Sequence, residues 1–263
     1  GDFTTPLLNK SVNYNAYDLG QATPVDYYVV NTWTAYFKAI NTANNVITKI
    51  PVFAAFPENK QKQFIAEGKF IRALAFLKLL CLYGDGALSG NMDGAGLPLQ
   101  LTPFEGYNTG EIIPRSTNGQ VYDQIIKDLT ESLPDLPRKQ ADDLKTRTRA
   151  TTGNAYALLA RTYLYMGRFA DAAAAAKSVL DLGPSVYSLT SGLLSLFPPN
   201  SGGTAQNFTS EYLLGLPVSQ LVSTSTSLSN GIGGSYYFKR DFWINADFIN
   251  EFVEAAAVRE VHV

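Results

Sequence analysis

Residues 152–184 read TGNAYALLARTYLYMGRFADAAAAAKSVLDLGP, and this stretch decides the fold. It contains two apolar, alanine-rich runs that are separated by Gly167, and each has the length of a short globular helix. The second run stops at Gly183-Pro184, because glycine readily adopts a helix-cap conformation and proline cannot continue a helix. The stretch therefore predicts two consecutive helices, over about residues 152–166 and 168–182.

The residue types within these helices recur at the spacings of the tetratricopeptide repeat. The matching positions are Tyr156, Leu159, Ala160, Tyr163, Ala172, Ala176, Val179 and Pro184. The small alanines let two helices approach closely, while Tyr156 and Tyr163 fill the remaining space. Because one repeat unit cannot bury its own apolar face, other helical pairs must pack on it. The pattern predicts a mainly α fold of tetratricopeptide-like stacked helical hairpins.

Apolar residues at helical spacing predict the neighbouring helices, over about residues 33–50, 58–83 and 118–133. The last of these begins with Thr117-x-x-Gln120, a capping box in which two side chains satisfy first-turn amides. Gly84 is predicted to end the helix before it as a left-handed cap. We also expect Asn44 to hold a neighbouring backbone, because a buried unpaired amide costs roughly 1–3 kcal/mol.

The flanks of this scaffold differ from it in composition. Residues 1–32 predict an irregular, aromatic initial segment, ahead of the scaffold at 33–184. Residues 185–263 are dense in Ser, Thr, Gly and Asn and predict a loop-rich region of small β content, which we expect to be incomplete. Within it we predict a strand at Tyr212–Leu216 and a short helix around Asn245–Glu254.

The composition excludes several classes of function. Lys plus Arg number 21 against 23 acidic residues, so the chain has no basic footprint for nucleic acid. The single histidine, His262, excludes a histidine-centred triad or a multi-histidine metal site. The single cysteine, Cys81, permits no internal disulfide and is predicted to be a small buried hydrophobe. The longest apolar candidate for a membrane span, Phe70–Leu82, carries Arg72 and Lys78.

No motif in the chain indicates an enzyme, and we expect no cofactor. The segment Ser89–Gly94 faintly resembles the start of a calcium loop, but Gln100 stands where the bidentate glutamate belongs, so we interpret it as a turn. Glycoside hydrolysis needs two facing carboxylates, and no spacing singles out such a pair. We interpret Glu67 as an ion-pair partner within the scaffold and residues 138–149 as a solvated charged loop.

Four stretches within residues 33–183 together resemble the SusD/RagB family. They are Trp33 with Ala43-Asn44-x-x-Ile47; Glu67-Gly-Lys-Phe70-Ile-Arg72-Ala-Leu-Ala-Phe76 running into Leu82-Tyr83-Gly84-Asp85; Pro114-Arg115-Ser116 ahead of Val121-Tyr122-x-x-Ile125-x-x-Asp128-Leu129; and Arg149-Ala150-Thr151 ahead of Ala157–Leu164. The combination of Leu-Tyr-Gly-Asp with Pro-Arg-Ser is the most specific part of this resemblance.

The resemblance implies a non-enzymatic lipoprotein on the extracellular face of the cell outer membrane, lipid-anchored at an N-terminus that this chain does not include. Such proteins serve polysaccharide utilization: they bind an oligosaccharide or polysaccharide and pass it to a TonB-dependent, SusC-like transporter. Two alternatives stay open. The chain could be a peptide-binding member of the same family, or a tetratricopeptide adaptor that binds peptides in its concave groove through residues such as Asn154, Arg161 and Tyr165.

The resemblance also implies a glycan platform made of aromatic residues before the first scaffold helix and after the repeats. The positions that match by region are Tyr14, Tyr17, Tyr27, Tyr28, Tyr236, Tyr237 and Trp243. Their polar neighbours are Asn13, Asp18, Arg240 and Asp241. Sugar C–H faces pack on such rings while polar side chains bond the hydroxyl groups. The competing interpretation of each residue is that it packs a loop onto the scaffold.

Overall fold

The computed structural model describes residues 4–6, 21–53, 55–106, 112–190, 209–215 and 242–244. The chain divides into two compact units, of which one consists of residues 33–217 and the other of residues 1–32 together with 218–263. The division into three segments at residues 32 and 184 stays a prediction.

The described residues are mainly helical, and the predicted fold of stacked helical hairpins is confirmed. The helices are α1 (Tyr27–Lys49), α2 (Glu58–Tyr83), α3 (Asn118–Ser132), α4 (Asp143–Thr148), α5 (Thr152–Tyr165) and α6 (Phe169–Leu180). The irregular segment predicted for residues 1–32 is wrong over its last turns, because α1 begins at Tyr27 rather than Trp33. A turn closed by Asp26, whose carboxylate accepts hydrogen bonds from the Thr23 amide and hydroxyl, leads directly into the helix.

In the part of the chain that the structure describes, four short strands form two antiparallel pairs. Strand β1 (Thr4–Pro6) pairs with β4 (Phe242–Ile244), and β2 (Ala95–Pro98) pairs with β3 (Arg115–Thr117). The strand predicted at Tyr212–Leu216 is wrong over Tyr212–Gly215, which are irregular apart from a bend at Leu213. The Asn154 side chain and the Arg147 backbone bind this segment in place of a neighbouring strand. The helix predicted around 245–254 lies outside the described residues.

The core lies where α2 packs against α3 and α5. Helix α2 buries residues on several sides, as its nearly continuous apolar sequence predicts. Tyr122 on α3 is fully buried and donates its hydroxyl hydrogen to the Ala87 carbonyl oxygen at 3.1 Å. Burial raises the pKa of Tyr122 to about 12, so the phenol remains a neutral donor. Cys81 is half-buried rather than fully buried, and burial raises the pKa of its thiol.

The capping box at the start of α3 is confirmed. The Thr117 hydroxyl accepts from the Gln120 amide at 3.2 Å, and the Gln120 side chain accepts from the Thr117 amide at 2.9 Å. Gly84 is extended (φ −77°), so the left-handed cap predicted there is wrong. The position still requires glycine, because a Cβ atom would lie 2.7 Å from the Leu80 carbonyl oxygen. The left-handed glycine of this turn is Gly86.

The α5–α6 hairpin contains the predicted turn at Gly167, whose φ is 73°. Leu159 and Val179 are buried within it, as the repeat pattern predicts. Ala176 is exposed, however, and Ala175 is buried in its place. The buried stripe of α6 follows Ala175 and Val179 at i, i+4 spacing, so the next residue along the helix is turned towards solvent.

The charged segment 138–149 is not a plain solvated loop. It contains helix α4, capped by the Asp142 side chain, which accepts from the Lys145 amide at 2.7 Å. One face of this short helix carries exposed ion pairs, while Thr146 and Arg147 on the other face are buried. The correction has a steric reason: Arg147 stacks over the Tyr187 ring, which covers it.

Candidate ligand-binding site

Three residues of the predicted glycan platform lie in described parts of the chain. Tyr27 and Tyr28 occupy the first turn of α1, with ring centroids 5.3 Å apart and planes at 87°. Trp243 is in strand β4, opposite Thr5. The remaining candidates lie outside the described residues, namely Asn13, Tyr14, Tyr17, Asp18, Tyr236, Tyr237, Arg240 and Asp241. The platform as a whole therefore stays a prediction.

The two tyrosines at the start of α1 have the properties of a stacking surface. Tyr27 is 65% exposed, whereas Tyr28 is half-buried and packs edge to face against it. The ring of Tyr27 is carried by a helix rather than a loop, which reduces the conformational entropy that binding would cost. Such an amphipathic ring can contact a sugar face while its hydroxyl group stays in water.

A buried polar network positions the segment that crosses α1 at residues 100–102. Arg72 donates to both oxygens of Asp128, at 2.8 and 2.6 Å, and to the Asn44 side-chain oxygen at 2.9 Å. The Asn44 amide then donates to the carbonyl oxygens of Gln100 and Thr102, at 2.9 and 3.0 Å. The prediction that Asn44 holds a neighbouring backbone is confirmed. The network serves the scaffold, because all of its members are buried or bonded to the backbone.

Glu67 forms an ion pair within the scaffold, as predicted. Both of its carboxylate oxygens accept from Arg149, at 2.9 and 2.7 Å, and one also accepts from the Gln63 amide at 2.9 Å. A carboxylate held by two donor groups is suited to joining helices rather than to transferring a proton.

The peptide-adaptor alternative loses one of its proposed contacts. Asn154 is buried beneath the segment 209–215 and donates to the Leu213 carbonyl oxygen. Arg161 is exposed and Tyr165 is half-buried, so these two positions keep some access to solvent.

Segment 209–215 is hydrogen-bonded both to the scaffold, at Arg147 and Asn154, and to residues 188–190 just after it, and we call this set of contacts the clasp. The Ser188 hydroxyl donates to the Ser210 hydroxyl at 2.7 Å, and the Gly215 amide donates to the Arg147 carbonyl oxygen at 2.7 Å. Glu211 accepts from the Thr190 amide and hydroxyl at 3.0 and 2.7 Å. These hydrogen bonds, first that from the Thr190 amide, lower the pKa of Glu211. The clasp gives the irregular region one defined point of attachment.

The segment that resembles a calcium loop is a turn, as predicted. The Asn118 side chain donates to the carbonyl oxygens of Asp85 and Asn91, at 2.8 and 2.7 Å, so these oxygens are already used within the fold. Within the described ranges, no three His, Cys, Asp or Glu side chains are grouped as metal ligands. Nor does any described helix combine the length and the apolarity that crossing a membrane requires.

Helices α1 and α2 enclose a groove of about 430 Å³. It is lined by Ala39, Thr42, Ala43, Val46, Ile50, Phe56, Phe64, Glu67, Gly68 and Ile71. The lining is apolar apart from Thr42 and Glu67, and Glu67 is already paired. A carbohydrate site needs several convergent polar groups, so this groove is not a sugar pocket.

Comparison with known proteins decides the family. A family model described as starch-binding and associating with the outer membrane matches residues 4–164, which is more than half of the chain. This chain belongs to the SusD-like family. The resemblance to the SusD/RagB family that the sequence indicated is therefore confirmed.

Solved structures of SusD-like proteins share the fold. A SusD superfamily protein from Bacteroides fragilis is 27% identical, with a TM-score of 0.72 over 84% of this chain and 48% of its own. One from Bacteroides thetaiotaomicron is 23% identical, with a TM-score of 0.77 over 96% of this chain and 54% of its own. This chain thus spans about half the length of these two relatives.

A third relative carries information about a ligand. It is a laminarin-binding SusD-like protein, 26% identical, with a TM-score of 0.58 over 72% of this chain and 38% of its own. A search of curated protein sequences found no match. Laminarin binding is a property of that relative, and its bearing on this SusD-like chain is a matter of proposal.

Proposed function

We propose that this SusD-like chain is part of a cell-surface glycan-binding protein that captures an oligosaccharide or polysaccharide and delivers it to a TonB-dependent, SusC-like transporter. The observation that carries the proposal is the match of residues 4–164 to a starch-binding family. The similarity to a laminarin-binding protein supports the same class of ligand. The protein captures its ligand without cleaving it.

The location that we propose is the extracellular face of the outer membrane, where an attached lipid holds the protein. The family description, which includes association with the outer membrane, supports this location. Ligand capture at that surface raises the local glycan concentration beside the transporter, which is the advantage of tethering a binding protein there.

Affinity electrophoresis against starch, laminarin and a wider polysaccharide panel tests glycan capture, with calorimetry for any ligand that retards the protein. We expect retardation by at least one polysaccharide and no release of reducing ends during prolonged incubation. Release of reducing sugars would contradict the proposal that the protein is not an enzyme. Peptides are tested in parallel. Binding to peptides and to none of the polysaccharides would favour the peptide-binding alternative.

The variant Tyr27→Ala tests the platform. We expect it to weaken glycan binding by roughly five- to tenfold, because a stacking ring contributes about 1 kcal/mol or more to contact with a ligand. The matched control is Phe169→Ala, since Phe169 is 69% exposed and lies at the start of α6. Equal affinities of the two variants would show that Tyr27 lies outside the platform.

The transporter partnership needs a separate test. A TonB-dependent, SusC-like transporter produced together with this protein should co-purify with it after mild detergent extraction, with or without glycan. If the chain binds glycan but does not co-purify with that transporter, the proposed glycan capture is supported and the proposed delivery to the transporter is wrong.

A further inference from the structure

The connection between α1 and α2 has the sequence IPVFAAFP at residues 50–57, without one polar side chain. The large apolar side chains of this connection are nevertheless exposed: Val52 is 78% exposed, Phe53 52% and Phe56 39%. Soluble proteins seldom expose a contiguous apolar patch unless it contacts a partner or a membrane. We call the described residues of this connection, 50–53 and 55–57, the apolar loop.

Several backbone groups of the apolar loop are hydrogen-bonded within the loop or to the start of α2. The Phe53 amide donates to the Ile50 carbonyl oxygen at 3.0 Å, and the Phe56 amide donates to the Phe53 carbonyl oxygen at 3.4 Å. The Gln61 side chain donates to the carbonyl oxygens of Phe53 and Phe56, at 3.2 and 2.7 Å. Pro51 and Pro57 have no amide hydrogen to satisfy. Each group paired in this way lowers the cost of bringing the loop to an apolar phase, where an unpaired group is costly.

The exposed patch continues from the loop into the groove between α1 and α2. Ile50 and Phe56 belong to both, and Ile71, which also lines the groove, is 46% exposed. The Phe56 ring packs edge to face on Phe64, with centroids 5.4 Å apart, so the loop is supported by the helix below it. The exposed side chains of the loop and the groove beneath them therefore form one continuous apolar surface.

The charges around the apolar loop indicate what it contacts. Lys49 precedes the loop, and Lys60 and Lys62 follow it. Glu58 is the one acidic residue within residues 49–62, so this stretch has three positive charges, one negative charge and a net charge of +2. Glu58 pairs with Lys62 at 2.7 Å, which leaves Lys49 and Lys60 as exposed ammonium groups without a carboxylate partner among the described residues. Apolar side chains flanked by lysines are the arrangement that binds anionic lipid surfaces.

We propose that the apolar loop is a membrane-contact site, at which Val52 and Phe53 enter the headgroup–acyl boundary of an anionic bilayer while Lys49 and Lys60 contact its headgroups. The groove then lies at the lipid surface and receives part of an acyl chain. This contact is made by the polypeptide itself, so it adds to an attached lipid and orients the α1–α2 end of the scaffold towards the membrane. It does not depend on glycan binding.

Vesicle sedimentation of the unlipidated chain, in the absence of glycan, tests the proposal. The probe is large unilamellar vesicles of phosphatidylcholine alone or in equimolar mixture with phosphatidylglycerol. We expect binding to the anionic vesicles, reduced at least about tenfold by the double change Val52→Ser and Phe53→Ser. The matched control, Phe169→Ser, removes an aromatic residue that is more exposed than Phe53, 69% against 52%, and should leave binding unchanged. Circular dichroism of all variants checks that they fold, since each change is at an exposed position.

The electrostatic and the apolar contributions to vesicle binding can be separated. Lys49→Gln and Lys60→Gln should each weaken binding to the anionic vesicles by about fivefold and should leave any binding to neutral vesicles unchanged. In the variant Phe53→Trp, the new indole emission should shift to shorter wavelength on vesicles and be quenched by brominated acyl chains. Phe169→Trp is the control and should show neither response.

Two results would overturn the proposal. The first is failure of the wild-type chain to bind the anionic vesicles. If the Val52→Ser and Phe53→Ser variant then also loses transporter co-purification, the loop is assigned to a protein partner instead. The second is undiminished vesicle binding by that folded variant.

Discussion

Two arginines are almost completely buried among the residues that the structure describes, and their surroundings differ. Arg72, in the middle of the scaffold, is 7% exposed and meets the Asp128 carboxylate through two hydrogen bonds. Arg147, beside the clasp, is 4% exposed and forms no ion pair with a described carboxylate: it stacks over Tyr187 at 4.5 Å and donates to the Val186 carbonyl oxygen at 2.6 Å. Its Nη1 atom has no hydrogen-bond partner in the part of the chain that the structure describes.

The difference shows two ways of burying a guanidinium group. Between packed helices, the charge is neutralised by a carboxylate in a fixed bidentate geometry, and a third helix adds Asn44. At the junction with the irregular region, the direct contacts of Arg147 in the described part of the chain are a ring face and a backbone carbonyl oxygen. Removing one partner of the Arg72–Asp128 pair is strongly destabilising, because an unpaired charge stays buried. Arg147 has no such direct ion pair to lose among the described residues.

The largest expected effect is that of Asp128→Ala. This change leaves Arg72 buried without its counter-charge, and we expect the free energy of unfolding to fall by about 3–5 kcal/mol. Urea denaturation followed by circular dichroism measures it. The control is the double variant Arg72→Met and Asp128→Leu, which removes both charges and should recover most of the loss. A double variant no more stable than Asp128→Ala would show that the packing of the carboxylate, rather than its charge, is what matters.

A smaller effect is expected from Arg147→Met. It removes the stacking on Tyr187 and leaves the Val186 carbonyl oxygen unpaired, and together these should cost about 1–3 kcal/mol. The same denaturation experiment measures this loss. If Arg147→Met destabilised the protein more than Asp128→Ala does, the contrast between the two arginines would be wrong, and a hidden anionic partner of Arg147 would have to be sought.

The smallest effect is a dependence of the clasp on pH. The hydrogen bonds from Thr190 lower the pKa of Glu211 in the folded protein, so their contribution is present above the unfolded pKa and is lost as the pH falls through the folded pKa. We expect limited proteolysis within residues 191–220 to accelerate as the pH is lowered from neutral to about 4. Glu211→Gln should weaken this pH response. An unchanged response in that variant would assign it to other carboxylates.

Much of the scaffold could be predicted because its signals are local. The bounds of α2, the capping box at Thr117 and the turn at Gly167 all depend on residues a few positions apart. The start of α1 at Tyr27 was missed because residues 1–32 were assigned as one irregular segment from their composition, although Val29 and Val30 continue the helical spacing before Trp33. A side-chain turn at Asp26 initiates the helix. Helix α4 was missed because its charged residues of both signs indicate a solvated loop, whereas Thr146 and Arg147 on one face are buried.

The candidate site was less predictable than the fold. The candidate residues were assigned because they lie in the same parts of the chain as the platform residues of the family. Only Tyr27, Tyr28 and Trp243 among them lie in described parts of the chain. The apolar loop did have a signal, an uninterrupted run of eight residues without a polar side chain between two helices. Such a run is equally typical of a buried connection. Only the exposed fractions of its side chains in the structure distinguish a surface patch from core.

The sequence alone predicted helices α1, α2, α3, α5 and α6, the capping box at Thr117, and the need for Asn44 to find polar partners. Which partners Asn44 finds depends on the tertiary structure. The carbonyl oxygens of Gln100 and Thr102 are more than fifty positions away along the chain, and Arg72 reaches Asn44 from another helix. Periodicity is a property of one helix, whereas pairing and exposure depend on how separate segments pack, which no local spacing encodes.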